Sequence, residues 1–414
     1  MLNTNKKKIF NDPVYGFITL PHPLIFDLVE HPWFQRLRRI RQLGLSHMVY
    51  PGALHTRFHH ALGALHLTTQ AIDTLRSKGQ VISDEEALGV EVAILLHDIG
   101  HSPFSHALEH SIVTGISHET VSRLLMEKLN EEMGGQLDLA IRIFLGTYEK
   151  HFLHQMISSQ LDMDRLDYLN RDSFYTGVLE GKIGAQRIIK MLDVFNGKLV
   201  VEEKGVYSIE KFIIARRLMY WQVYLHKTVL AAEQLLVKIL LRAKELVTKG
   251  ERLFATPDFQ FFLENNFEES DFVRNPELLN RYAKLDDYDV FTSIKVWADH
   301  SDTVLSRLCK GMVNRQLYKI RMRKDPYSDL DTTNYRKTAM NAFRLSEEES
   351  HYFAFKGSIS NSAYDPKGEP IRILYRDGSS IELSAASDQM EVAVLSSAIQ
   401  KHFICVLPEL IDNQ

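Results

Sequence analysis

The chain has 414 residues, of which 45% are hydrophobic and 25% charged, as in an ordinary globular protein with room for a large and a smaller domain. Its net charge of −4 gives no global positive field for non-specific nucleic-acid binding. The two cysteines, Cys309 and Cys405, lack metal-ligand spacing, which is typical of a reducing compartment. No apolar run could span a bilayer and the N-terminus lacks a signal-peptide core, so we expect a cytoplasmic protein with no membrane partner.

The first predicted elements are a hairpin and two helices. The stretch "KKKIFNDPVYGFITLP" alternates in hydrophobicity around turn formers at 11–13, which predicts a β-hairpin. Pro32 and Gly44 mark the start and the end of a predicted helix. In the helix that begins near Thr56, apolar residues recur on two stripes, and one stripe contains His60. We therefore expect this helix to be buried on more than one side, with His60 facing the core.

Three further helices are predicted before residue 251. Ser83 is suited to cap one that ends near Gly100, and Ser117 to cap another that stops at 134–135. A hairpin is then expected with its turn near 204–205. The stretch from 208 to 250 contains no helix breaker and predicts one long helix.

The remainder of the chain changes character. Shorter helices are expected up to about residue 310, followed by strand-like segments with an Asp377–Gly378 turn. The predicted fold class is therefore mainly α, with short β-hairpins and a smaller α/β C-terminal region. We place the boundary between 1–311, with a core at about 32–250, and 312–414.

The segment "LLHDIGHSPFSHALEH" places titratable groups at the end of a buried helix. An isolated pair such as His97–Asp98 is more often a hydrogen-bonded helix end than a metal site. However, His60 is expected to face the core, and in "SQLDMDRLDYLNRDS" Asp164 can point inward with Tyr168, although such acidic helices usually have a solvated face. Two imidazoles and two carboxylates could then bind a divalent cation and leave positions open for water and substrate.

This order of residues, H…HD…D, resembles the HD superfamily of metal-dependent phosphohydrolases. The match is closest to the deoxynucleoside triphosphate triphosphohydrolases, including the animal enzymes that join a SAM domain to an HD domain. The resemblance spans 34–227 and implies an HD-type helical bundle. The segments that carry it are "FQRLRRIRQLG", "YPGALHTRFHHALG", "LLHDIGHSPFSH", "SHET", "DMDRLDYLNRDS" and "ARRLMYWQVYLHK".

The resemblance also implies a metal centre with one divalent ion, either Mn, Fe, Mg, Ni or Zn. Such a cation lowers the pKa of a bound water and neutralises phosphate oxygens. Asp98 would in addition orient the attacking water. The implied metal ligands are His60, His97, Asp98 and Asp164.

Further histidines are assigned roles by the same resemblance. His101 would stabilise charge on the transferring phosphorus. His118 and Glu119 would supply the proton to the leaving group; the alternative for His118 is a role in the capping geometry of a helix start. His106 is expected to support the site as often as to act in it, and His110 has no assigned role.

Three arginines match positions that would contact a triphosphate: Arg57, Arg165 and Arg216. The closest animal relatives carry lysine where this chain has Arg165, which keeps the charge but changes the geometry of phosphate contacts. A surface or salt-bridged arginine is the more common alternative for each of them taken alone.

Nucleoside recognition would fall to Gln42, Tyr168, Asp172 and Tyr224. Asp172 and Tyr168 would bond the sugar 3′-hydroxyl, and Tyr224 would crowd the 2′ position and so favour deoxyribose. Both tyrosines could also be ordinary core aromatics. Leu225 stands where the animal enzymes have a polar residue, which leaves the base preference open.

A basic cluster and one lysine match effector-site positions of the family. The cluster comprises Arg36, Arg38, Arg39 and Arg41, of which Arg38 is the principal candidate, and the lysine is Lys227. A nucleotide activator and a homo-oligomer, a dimer or tetramer, are implied by the resemblance alone. The arginine cluster is as readily a solvated helix face, and it could also contact single-stranded nucleic acid weakly.

The main functional hypothesis is hydrolysis of a deoxynucleoside triphosphate (dNTP) to a deoxynucleoside and tripolyphosphate. The alternatives are an HD phosphohydrolase for another phosphorylated metabolite, such as a nucleoside monophosphate, and a two-metal phosphodiesterase that recruits further histidines. A nucleotide-sensing or nucleic-acid-binding module with a vestigial site is the non-enzymatic alternative.

Overall fold

The computed structural model describes residues 8–104, 106–109, 111–113, 115–361, 364, 368–387 and 399–411. The fold is mainly α, as predicted. The helices of the first half are α1 (Pro23–Glu30), α2 (Pro32–Gln35), α3 (Arg57–Ser77), α4 (Asp84–Leu96), α5 (His106–Glu109), α6 (His118–Glu132), α7 (Asp138–Phe144), α8 (His151–Gln155), α9 (Met163–Thr176) and α10 (Ala185–Met191). Those of the second half are α11 (Val206–Met219), α12 (Lys227–Thr248), α13 (Pro257–Glu264), α14 (Glu269–Arg274), α15 (Pro276–Tyr282), α16 (Asp287–Trp297), α17 (Thr303–Val313), α18 (Leu330–Phe343), α19 (Glu347–Ser350) and α20 (Leu383–Ala386).

The strands form three small sheets around this helical body. The N-terminal hairpin is confirmed, the second sheet has the order β3-β4-β7-β8 with β4 and β7 parallel, and the third is the antiparallel sheet β5-β9-β6. The strands are β1 (Ile9–Asp12), β2 (Gly16–Thr19), β3 (Leu192–Phe195), β4 (Lys198–Glu202), β5 (Lys319–Arg323), β6 (Ala354–Asn361), β7 (Arg372–Leu374), β8 (Ser380–Glu382) and β9 (Ile399–Val406).

The hairpin predicted around a turn at 204–205 is wrong, because the chain is helical from Val206 onward; a different hairpin lies just before it. The turn lies at Asn196 and Gly197, which have φ angles of 50° and 73° and join β3 to β4. Asn–Gly is the dipeptide that best tolerates positive φ at both central positions of a tight hairpin turn. Residues 203–205 instead form a short 3₁₀ turn that leads into α11.

Two predicted helices are shorter in the structure. The helix expected over 32–44 ends at Gln35 and continues as a 3₁₀ turn over 36–39, where the side chain of Arg36 is buried. The Arg36 guanidinium donates hydrogen bonds to three main-chain carbonyls, those of Ile99, His101 and Leu285.

The helix expected over 208–250 is interrupted near its middle. A π-helical turn at Tyr220–Tyr224 ends α11, and His226 caps the start of α12. The wider turn brings the Tyr224 hydroxyl to the carboxylate of Asp172, 2.8 Å away. The helix is thus interrupted at a place where the sequence has no helix-breaking residue. The interruption coincides with the buried hydrogen bond from Tyr224 to the Asp172 carboxylate.

Helix α3 forms the centre of the site-bearing region, and it packs against both α4 and α9. His60 is fully buried on it, as predicted. The predicted boundary at 311/312 falls inside α17, and β7 pairs with β4, so the division into two domains remains a prediction. None of the helices in the described ranges has the length and apolarity needed to cross a bilayer.

The close approach of α3 and α9 requires a residue without a side chain at position 63. A Cβ added to Gly63 would lie 2.0 Å from Asp167 Oδ1 and 2.1 Å from a terminal guanidinium nitrogen of Arg171. Gly63→Ala should therefore lower the free energy of unfolding by about 3 kcal/mol, measured by urea denaturation.

Gly89→Ala on α4 is the matched control. The nearest atoms to a Cβ there would be Ile143 Cδ1 and Leu139 Cγ, both at 3.0 Å and both in side chains rather than in the main chain. Because these side chains can move, the change in the free energy of unfolding should stay within about 1 kcal/mol. Equal effects of the two substitutions would contradict the close helix approach.

Candidate active site

The predicted metal ligands converge from three helices. Nε2 of His60 on α3, Nε2 of His97 at the end of α4 and one carboxylate oxygen of Asp164 on α9 lie within 4.8 Å of one another. Asp164 Oδ1 is 3.1 Å from His60 Nε2 and 3.7 Å from His97 Nε2. Asp98 Oδ1 is 3.4 Å from His97 Nε2, and Asp98 Oδ2 is 3.8 Å from His60 Nε2. The four side chains therefore form one cluster.

Each imidazole in this cluster is oriented from its other nitrogen. His60 Nδ1 donates to Asp167 Oδ2 at 2.7 Å, and His97 Nδ1 donates to the carbonyl of Ile94 at 2.6 Å. Both Nε2 atoms are buried, and among the described residues neither has a hydrogen bond of acceptable geometry. Two oriented imidazole nitrogens beside carboxylate oxygens form a donor set that fits a divalent cation.

Asp167 is itself held by a buried ion-pair network. Arg171, four residues further along α9, donates to both of its carboxylate oxygens at 2.9 and 3.0 Å. Arg171 also donates to Asp12 at 2.7 Å, which ties the network to the N-terminal hairpin. Buried charges persist only when paired in this way, so the network fixes the orientation of the His60 ring.

The electrostatics of the cluster are dominated by the carboxylates. Burial would lower the pKa of His60, but Asp164 and Asp167 outweigh it and raise that pKa to about 10. Burial likewise opposes ionisation of Asp98 and Asp164, yet the neighbouring histidines hold the pKa of both carboxyls well below the usual range. The carboxylates that favour protonation of His60 would equally stabilise a bound cation.

The Asp98 carboxylate lies close to one arginine and three histidines. Arg57 forms a short ion pair with its Oδ2, and His101 Nε2 lies 3.2 Å from its Oδ1. Burial and then Arg57 lower the pKa of His101 to about 3, so its ring is neutral. Arg57, expected at a phosphate, thus contacts Asp98 in the structure.

The predicted proton-donating pair has a different geometry from that expected. The His118 ring stacks on His101, with centroids 3.9 Å apart, and its Nδ1 lies 3.2 Å from Glu109 Oε1. Glu119 is exposed and lines the adjoining cavity. The carboxylate against His118 is therefore Glu109, which sequence reasoning missed because no spacing rule joins residues 109 and 118.

The structure does not test the predictions for two histidines of this segment. The side chain of His106 and the whole of His110 lie outside the described residues.

A cavity of about 460 Å³ opens onto the cluster, and a second, of about 420 Å³, shares Arg165, His154 and Ser158 with it. Arg216 lines the second cavity, so two of the three predicted phosphate arginines face open space. Arg165 also pairs with Asp162. Arg123 and His154 were not predicted, since no motif of the chain marks them.

The predicted nucleoside residues form a second cluster. Asp172 is buried, and its Oδ2 accepts a hydrogen bond from Tyr224. The Tyr168 and Tyr224 rings meet edge to face with centroids 6.1 Å apart. Gln42 reaches the cluster through its main-chain N–H, which donates to the carbonyl of His55 at 3.0 Å. His55, whose ring contacts Asp172, was not predicted.

The residues expected at an effector site are not gathered in one pocket. Arg36 is buried, which excludes it from a solvated face. Arg38 stacks over Phe58, 3.5 Å from the ring centroid. Lys227 lines a separate cavity of about 830 Å³. The other cationic residues of that cavity are Arg307, Arg315, Lys319 and Arg321.

Comparison with known proteins agrees with this geometry. The HD domain model matches residues 57–172, and the HD associated region model matches 183–281. An uncharacterised Bacillus subtilis protein, YwfO, is 33% identical over 94% of this chain and 89% of its own length. A crystal structure of a phosphohydrolase from Bacteroides thetaiotaomicron superposes with a TM-score of 0.94 at 52% identity, covering 97% of this chain and 99% of that one. The chain belongs to the HD phosphohydrolase family.

More distant relatives of this HD phosphohydrolase include deoxynucleoside triphosphate triphosphohydrolase SAMHD1 from Homo sapiens, at 28% identity over 59% of the chain. The match spans 46% of that relative's length. HD domains are metal-dependent, and the described residues contain two groups that could hold a metal. The first is His60, His97 and Asp164, and the second is His101, Glu109 and His118.

The proposed ligand set of this HD phosphohydrolase can be tested by metal content. His97→Ala or Asp98→Ala should abolish metal loading and phosphate-ester hydrolysis together, because each removes a donor. His118→Ala should keep the metal and slow hydrolysis by at least about 100-fold. Metal per chain is measured by plasma mass spectrometry. Full loading of His97→Ala, or loss of metal from His118→Ala, would contradict the assignment.

The orienting role of Asp167 makes a separate prediction. Asp167→Asn should weaken metal affinity by about 10–100-fold, because the carboxylate that fixes His60 is lost. Asp12→Asn removes a partner of the same Arg171 without touching His60, so its metal affinity should stay within about threefold of wild type. Competition with a chromogenic chelator measures both affinities, and equal effects would contradict the role of the His60 bond.

Proposed function

We propose that the protein hydrolyses deoxynucleoside triphosphates to deoxynucleoside and tripolyphosphate, with one divalent metal ion per site. The observation that carries the proposal is the cluster of His60, His97, Asp98 and Asp164 opening onto cavities lined by Arg165 and Arg216. Cations beside a metal cluster suit a polyphosphate better than a singly charged ester, because guanidinium groups bind phosphate in bidentate fashion. The kinship with SAMHD1 supports the same substrate class.

Around the α-phosphate, the chain's own residues would orient water and substrate. A divalent cation held by the four ligands would activate water and neutralise phosphate oxygens. Asp98 is fixed by Arg57 and His101, so its carboxylate is held in one orientation beside the reacting centre. Arg165, at the junction of the two cavities, would contact the phosphate chain and Arg216 its far end.

The leaving 5′-oxygen needs a proton, and His118 is our candidate donor. Glu109 Oε1 lies 3.2 Å from its Nδ1 and would orient the ring. His118 lines the cavity next to Asp98, as does Glu119. The neutral ring of His101 stacks against His118 and limits its rotation.

The nucleoside would bind at the cluster of Gln42, Tyr168, Asp172 and Tyr224. Asp164 and Asp172 lie on the same helix, eight residues and about 12 Å apart, so one rigid element would carry both ends of the substrate site. We also propose a cytoplasmic homo-oligomer with a nucleotide activator, for which Lys227, in the cation-lined cavity, and Arg38 are separate candidate contacts.

The decisive experiment is product analysis in H₂¹⁸O. Purified protein is incubated with each dNTP and NTP and with Mn²⁺, Mg²⁺, Fe²⁺, Ni²⁺ or Zn²⁺ in turn. We expect deoxynucleoside and intact tripolyphosphate, with the ¹⁸O in tripolyphosphate because water attacks the α-phosphorus and the P–O5′ bond breaks. His97→Ala is the metal-deficient control. Orthophosphate, or pyrophosphate with a nucleoside monophosphate, would contradict the proposal.

A further inference from the structure

Asp172 has a second buried partner besides Tyr224. His55 Nε2 lies 2.7 Å from Asp172 Oδ1, while Tyr224 Oη is 2.8 Å from Asp172 Oδ2. The His55 side chain is fully buried, and that of Asp172 is 2% exposed. A carboxylate only accepts hydrogen bonds, so both neighbours donate to it, and the two bonds prevent its rotation.

The two bonds leave Asp172 able to accept more. An ionised carboxylate offers about four lone-pair positions, and His55 and Tyr224 occupy one on each oxygen. The remaining positions, together with the lone pairs of the Tyr224 hydroxyl, can accept from a hydroxyl group of a ligand. Since Asp172 is buried, an unused position there would cost binding energy whenever the ligand lacks that hydroxyl.

His55 is itself held on two sides. Its ring stacks on Tyr175, with centroids 4.4 Å apart and planes 16° apart, and its carbonyl accepts from the main-chain N–H of Gln42. Its Nδ1 is buried without a hydrogen-bond partner among the described residues, so Asp172 alone determines which ring nitrogen carries the proton. His55 therefore connects the loop of Gln42 to the carboxylate on α9.

We propose that His55 is a positioning residue for sugar recognition: it holds Asp172 so that Asp172 and Tyr224 select nucleotides with a free 3′-hydroxyl. The inference rests on the proposed function, because it assigns the ligand hydroxyl to a nucleotide sugar. His55 does not touch the substrate in this proposal. It acts through Asp172, in the way that a second-layer hydrogen bond orients a metal-binding histidine.

The test compares a dNTP with its 2′,3′-dideoxy counterpart, using the full-length, metal-loaded protein. Wild type should prefer the dNTP by at least about 100-fold in kcat/KM, since a buried acceptor is left unused by the dideoxy compound. His55→Phe keeps a ring against Tyr175 but cannot donate, so this preference should fall by about tenfold or more. The loss should appear mainly in KM for the dNTP, with metal content unchanged.

Two further variants separate positioning from folding. His66→Phe is the matched control, because His66 lies on α3 with its ring 5.4 Å from that of Tyr15 and has no contact with Asp172; the dNTP preference should remain as in wild type. His55→Gln restores a donor without the imidazole ring and should give an intermediate preference. If His55→Phe does not fold, an unchanged preference in His55→Gln overturns the inference.

The outcomes distinguish this inference from the proposed function. Hydrolysis of dNTPs with no discrimination against the dideoxy compound, or with equal discrimination in wild type and His55→Phe, overturns the role of His55 and leaves the proposed function intact. An equal fall in His66→Phe would show a general packing effect and also overturns it. Absence of any dNTP hydrolysis by wild type overturns both.

Discussion

The hydrogen bond between His60 and Asp167 is the interaction on which the site depends. It directs one imidazole nitrogen of His60 at a carboxylate and leaves the other facing the remaining predicted metal ligands. Asp167 is available for this only because Arg171 balances its charge, and Arg171 fits only because position 63 carries no side chain. Helix packing, charge pairing and ligand orientation therefore depend on one another in this protein. A change in any of them should alter the affinity of the predicted ligands for a metal ion.

Helix α9 carries three aspartates that have different neighbours. Asp164 lies beside His60 Nε2 among the predicted metal ligands, Asp167 accepts a hydrogen bond from His60, and Asp172 accepts from Tyr224 and His55. Asp167 and Asp172 are buried and each has a donor from another element, as the cost of an unpaired buried charge requires, whereas Asp164 faces the two imidazole Nε2 atoms. The acidic, amphipathic sequence of α9 therefore supplies two buried, paired carboxylates and one carboxylate to the predicted metal ligands.

Several features were predictable because local chemistry determines them. The Ser83 and Ser117 caps, the N-terminal hairpin and the burial of His60 follow from residue spacing and turn propensity, and the structure confirms them. The long-helix prediction over 208–250 is wrong because the break at 220–224 is accompanied by the Tyr224–Asp172 bond, which no local pattern contains. The wrongly predicted hairpin is different, because the dipeptide Asn196–Gly197 is itself a local signal for a tight turn.

The sequence by itself determined the mainly α fold class and the residues that could bind a metal. Helical periodicity and the H…HD…D order are both visible in the order of residues, without knowledge of how the helices pack. The tertiary structure alone decided which carboxylate serves which histidine. Glu109 rather than Glu119 faces His118, and His55, which was not predicted, holds Asp172 together with the predicted Tyr224. Glu109 and His118 lie on the separate helices α5 and α6, and His55 and Asp172 are 117 residues apart, so no local spacing rule selects these partners. They depend on how the whole core packs.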